Sequence, residues 1–127
     1  MRYLLLFLVA GLGACENQTY QIGERLYKTN CANCHLDHGE GLGNLIPPIA
    51  GSDYLKKYPD LLPCVIRRGL KDTIVVNGKT YAEEMPPNGA LSDIQITNLL
   101  NYINSSWGNK QAPYELETVR ELLKKCE

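Results

Sequence analysis

The chain has 127 residues, 44% of them hydrophobic and 21% charged, which suits one compact domain with a modest core and excludes two. Basic and acidic side chains number 13 and 14, a formal net charge of −1. No block of Lys or Arg breaks that balance, so a nucleic-acid partner is not expected.

The only long apolar run is Tyr3–Ala14, preceded by Arg2. As a helix it would cover about 18 Å, well short of a hydrocarbon core about 30 Å thick. A charged start and a greasy middle instead have the shape of an export signal over residues 1–14. The sequence LGAC at 12–15 resembles the bacterial lipoprotein box, which implies cleavage before Cys15 and lipid on its thiol. An ordinary signal peptide is the alternative, and both export the chain. Residues 15–19 then form a lipidated N-terminus and short linker.

Export governs how the five cysteines are read. With Cys15 lipidated and Cys31 and Cys34 acting as a local pair, Cys64 and Cys126 remain. An oxidising compartment favours their disulfide.

The stretch CANCH at 31–35 is a C-x-x-C-H motif, the attachment signature of c-type haem. Two thiols at this spacing reach two vinyl groups on neighbouring pyrroles, and the imidazole that follows lies under the iron. His35 is therefore the expected proximal ligand. A zinc knuckle built from Cys31, Cys34 and His38 competes, but structural zinc normally takes two separated ligand pairs. A redox C-x-x-C also competes, though it would sit in a βαβ chain, and no such alternation is visible.

Ser52 is a candidate cap for a short helix that must stop before Pro59. LLPCVIRRG at 61–69 reads as another short helix ending at Gly69. TIVVNGKTY at 73–81 is a hairpin signal, with Asn77 and Gly78 suited to its turn. Met85 is the single methionine outside the signal. Pro86 biases it toward extended backbone, so the MPP loop can lie along a haem face with Met85 as the second axial ligand.

A longer helix starts at Ser92, with Gln95 completing a capping box and Leu91 and Ile96 placed for a hydrophobic staple. Ile96, Leu99, Leu100 and Ile103 give it one buried face. In the tail, Pro113 suits a helix N1 position. Val119, Leu122 and Leu123 form an apolar face there.

Taken together, residues 20–108 resemble the class I cytochrome c family. Gly23 and Tyr27 match its glycine and aromatic eight and four residues before the first haem cysteine, and Leu99 and Tyr102 match their contact pair on the C-terminal helix. The resemblance implies a mainly α cytochrome c fold whose N- and C-terminal helices cross beside one covalent haem c, with one small hairpin. Residues 109–127 add an extra C-terminal helix. Pro47 takes the position whose carbonyl accepts the proximal imidazole proton. Two family features are not matched: there are too few basic residues for a lysine ring, and Trp107 follows the C-terminal helix, so no propionate role passes to it. Arg67 and Arg68 are open to a propionate or simply solvated.

The implied function is one-electron transfer rather than catalysis, at a bacterial membrane facing the periplasm or exterior. The expected partners are a membrane-bound donor and acceptor, such as a quinol-oxidising complex and a terminal oxidase or reductase. A haem peroxidase or gas sensor with a labile Met85 is the alternative.

Overall fold

A computed structural model describes residues 14–126, with side chains from residue 18 onward. The lipid attachment expected on the Cys15 side chain, and residues 1–13 of the expected signal, lie outside the described residues. Helix α1 spans Ala14–Asn30, α2 Ala32–His35, α3 Asp53–Lys57, α4 Leu62–Arg68, α5 Asp93–Ser105 and α6 Leu116–Lys124. One 3-10 turn at Pro59–Leu61 leads into α4, and strands β1 (Ile74–Val76) and β2 (Lys79–Tyr81) form the hairpin. The fold is mainly helical, as expected. No helix of the described residues is long and apolar enough to cross a membrane.

The stretch read as a linker, residues 15–19, is helical and continues into α1. No Gly or Pro stands between Cys15 and Ile22 to stop it.

Helices α1 and α5 cross at Gly23. A β-carbon there would collide with the Asn98 carbonyl oxygen and the Tyr102 Cβ, so glycine is what lets the two backbones approach. The contact is thus with Asn98 and Tyr102; Leu99 lies fully buried in the core. Tyr27, four residues on, is also fully buried, its ring tilted against those of Trp107 and Tyr102 with centroids 4.8 and 5.7 Å away. Ile96, Leu99, Leu100 and Ile103 are all buried. The start of α5 carries both halves of its capping box: Gln95 N–H donates to Ser92 Oγ at 3.3 Å, and Ser92 N–H to Gln95 Oε1 at 2.8 Å.

The hairpin pairs Ile74 with Tyr81 and Val76 with Lys79. Its turn needs two residues of positive φ, supplied by Asn77 (50°) and Gly78 (78°).

The tail departs from expectation at Pro113, which precedes α6 rather than sitting at its first position. The Asn101 side chain explains this by taking both backbone groups of Tyr114. Tyr114 N–H donates to Asn101 Oδ1 at 2.7 Å, and Asn101 Nδ2 donates to the Tyr114 carbonyl at 3.0 Å. The chain is held non-helical there, and α6 begins two residues later at Leu116. Val119 is fully buried.

The sulfurs of Cys64 in α4 and Cys126 just beyond α6 are bonded, across a sequence separation of 62. Beside that link, Arg67 donates to Asp93 at 2.7 Å, tying α4 to the first turn of α5. The double variant Cys64→Ser, Cys126→Ser should lose roughly 2–5 kcal/mol of stability. Guanidinium unfolding followed through Trp107 fluorescence measures this, and an unchanged midpoint would mean that the link constrains nothing.

Candidate functional site

Cys31, Cys34 and His35 sit on the short helix that follows α1. The two thiols are free; Cys31 is buried and Cys34 exposed. Burial, with a smaller contribution from Cys34, pushes the Cys31 thiol up to about 12. A redox-active cysteine needs the opposite shift, so Cys31 is poorly suited to act as an attacking thiol. Among the described residues no group of three or more His, Cys, Asp or Glu side chains is arranged to hold a metal ion, which leaves the zinc knuckle without a ligand set.

His35 is aimed by a loop that returns to it. The Gly41 N–H donates to the His35 carbonyl at 3.0 Å. Gly39 accepts from the Ile49 and Ala50 N–H groups at 2.7 and 2.9 Å, and the Leu42 N–H donates to Ile46 at 2.9 Å. This brings the Pro47 carbonyl to 3.0 Å from His35 Nδ1. A carbonyl can only accept, so Nδ1 carries the proton and Nε2 keeps its lone pair. Burial pushes the imidazole pKa down, opposed in part by the Pro47 bond, which favours the neutral ring that a metal ligand requires.

Two features hold this loop in place that sequence reasoning did not find. Leu36 has φ 62°, a conformation unfavourable for leucine, and its carbonyl accepts from the Tyr27 hydroxyl at 2.6 Å. Trp107 packs against Gly39, where a β-carbon would lie 2.8 Å from its ring. An aromatic match at Tyr27 signals the ring packing but not the work of its hydroxyl.

Met85 is held from the other end of the chain. It forms an isolated antiparallel bridge with Leu70: Leu70 N–H donates to Met85 at 3.0 Å, and Met85 N–H to Leu70 at 2.9 Å. The Asn88 N–H adds a bond to the Ile66 carbonyl of α4 at 2.9 Å. The MPP loop is therefore strapped to the end of α4, and the Leu70 partner carried no signal in the sequence.

Cys31, Cys34, His35, Pro47 and Met85 line a single cavity of about 240 Å³, open along one side. Most of the remaining wall is aliphatic, including Leu62, Ile66, Leu100 and Ile103. Free thiols, a neutral imidazole with its far nitrogen committed, a thioether and apolar walls together fit a covalently attached haem. His38 is exposed and outside the lining. Arg67 is committed to Asp93 and, like Arg68, does not reach the cavity.

Residues 18–103 match the family described as cytochrome c oxidase, cbb3-type, subunit III. Cytochrome c-552 of Thermus thermophilus is 32% identical over 130 residues, covering 95% of this chain and 85% of that one. The cytochrome c subunit of a quinone alcohol dehydrogenase from Gluconobacter oxydans is 33% identical over 91 residues, 68% of this chain and 18% of the subunit. A gluconate 2-dehydrogenase cytochrome c subunit from Pantoea cypripedii is 34% identical over 93 residues, 70% and 21% of the two chains.

Gly41 and Gly43 both have positive φ, 71° and 55°. A β-carbon at Gly43 meets open space, whereas at Gly41 it would strike the Ile46 and Pro47 carbonyls. Alanine at either position should cost about 1–2 kcal/mol for the backbone alone, and Gly41→Ala should cost more by the displacement of Pro47. Equal losses in chemical unfolding would show that the Pro47 carbonyl is not closely held.

Proposed function

We propose a membrane-anchored one-electron carrier, because this chain belongs to the monohaem class I cytochrome c family and so carries one covalently bound haem c. Haem-based electron transfer is the chemistry of that family. The observation that carries the finer reading is the shared lining of one apolar cavity by the C-x-x-C-H residues and Met85.

Cys31 and Cys34 would hold the cofactor as thioethers, and His35 Nε2 and Met85 Sδ would ligate its iron. When bound, the haem supplies the one-electron ferric/ferrous couple. The protein orients and shields it. Pro47 fixes the imidazole plane and raises the basicity of Nε2, and the Leu70–Met85 strap presents a soft thioether, which favours the reduced state relative to a second imidazole. With His35 and Met85 both committed to the iron, no coordination site would be left for a substrate, which supports a carrier rather than an enzyme.

Cys15 carries the lipid in this reading. The rise of helical residues 16–19 is only about 6 Å, which holds the domain close to the bilayer on the periplasmic or outer side. The donor and acceptor then lie in the same membrane, such as a quinol-oxidising complex and a terminal oxidase. Relatives named as cytochrome c subunits of quinone alcohol dehydrogenase and gluconate 2-dehydrogenase support exchange of electrons with a partner enzyme.

The ferric protein should show the weak near-infrared sulfur-to-iron charge-transfer band, and Met85→Ala should abolish it and admit carbon monoxide rapidly to the reduced protein. Rapid carbon monoxide binding by the unaltered protein at neutral pH would favour a sensor or peroxidase instead. Cys15→Ala should move most of the protein from washed membranes to the soluble fraction; full retention would remove the lipid anchor from this account.

A further inference from the structure

Helix α4 has only seven residues, too few to be stable through its own hydrogen bonds, so its place is set by what it touches. Leu62, Pro63 and Ile66 are buried, and Leu62 and Ile66 also line the haem cavity. Two ties reach α4 from later in the chain. Arg67 bonds the Asp93 carboxylate, which Arg120 of α6 also approaches at 4.0 Å; ion pairs this exposed contribute little. The covalent tie is Cys64 to Cys126, and it joins α4 to a tail seated by the fully buried Val119.

Met85 rests on the end of the same helix. Gly69 follows α4 directly at φ 77°. A β-carbon there would collide with the Met85 carbonyl oxygen and lie 2.9 Å from the Pro87 nitrogen, so the strap is pressed against this turn. Leu70 exchanges two backbone hydrogen bonds with Met85, and the Ile66 carbonyl accepts from Asn88. The His35 loop has other supports: Tyr27, Gly39 and Trp107, none of which lies in α4 or α6.

We infer that the Cys64–Cys126 disulfide positions Met85, so that opening this bond releases the Met85 sulfur from the iron while His35 keeps its place. The inference rests on the His35 and Met85 ligation proposed above. Both cysteines are partly exposed, within reach of a small dithiol. The dithiol supplies two electrons and two protons: the sulfur–sulfur bond breaks, Cys64 and Cys126 become thiols, and the reductant closes to its own disulfide. The coupling is reciprocal. Whatever the disulfide contributes to holding Met85 on the iron, Met85 ligation contributes to keeping the disulfide closed.

The test uses anaerobic ferrous holoprotein, each sample checked by mass for one attached haem. Carbon monoxide binding should be about tenfold faster once the disulfide is opened, by dithiol in the unaltered protein or by Cys64→Ser with Cys126→Ser, a factor ordinary for coupled sites. In buffers of graded dithiol, with Cys64 and Cys126 alkylation as the readout, Met85→Ala should half-open at about tenfold less reductant. Gly108→Ala strains a turn at φ 78° beyond the far end of α5 and should change neither readout. Haem-loaded protein whose carbon monoxide rate ignores the open disulfide, Met85→Ala protein as hard to reduce as the unaltered one, or Gly108→Ala matching the double serine variant would each overturn the inference. Rapid carbon monoxide binding with the disulfide closed would instead overturn the Met85 ligation on which it rests.

Discussion

One hydrogen bond organises the site: His35 Nδ1–H to the Pro47 carbonyl, at 3.0 Å. It selects the tautomer, fixes the ring plane and leaves Nε2 as the only basic nitrogen of the imidazole. The loop from Leu36 to Pro47 is built to deliver that carbonyl. Its left-handed turns return the chain on itself, and the Tyr27 hydroxyl and the Trp107 ring brace it from the α1–α5 side. The Gly23 crossing is in turn what brings those aromatic rings behind the loop. Core packing and ligand geometry are therefore one continuous structure.

The thioether side is constructed differently. Met85 has neighbouring prolines to limit its backbone, but its position comes from pairing with Leu70 at the end of α4. Helix α4 is fastened to α5 through Arg67 and Asp93, and to the tail through Cys64 and Cys126. An imidazole held by a short local loop and a thioether held by a distant, cross-linked helix give the proposed ligands independent supports. A closed coordination set suits electron exchange because little needs to move when the charge on the iron changes.

Features set by local chemistry were legible in the sequence. C-x-x-C-H, the Asn77–Gly78 turn, the Ser92–Gln95 box and the 96–103 apolar face each depend on residues a few positions apart. Pro47 was legible only through the family resemblance, since nothing in a loop proline by itself points to an imidazole 12 residues away. What escaped the sequence depends on distant partners. Asn101 delays the start of α6 by occupying the backbone of Tyr114, 13 residues on, which no propensity encodes. Ser52 was read as a cap from its residue type and place, yet its hydroxyl makes no cap bond, and the start of α3 is tied down instead by Asp53 pairing with Asn77 of the hairpin turn. The expected linker failed for a simpler reason: short polar segments without Gly or Pro extend a neighbouring helix as readily as they connect one.

The account stands most directly on where the haem is attached. Peptide mass spectrometry of protein matured in an exporting host able to make c-type cytochromes should find the fragment containing Cys31–His35 carrying one haem through both cysteines. A colourless protein whose fragment bears two unmodified thiols would contradict it.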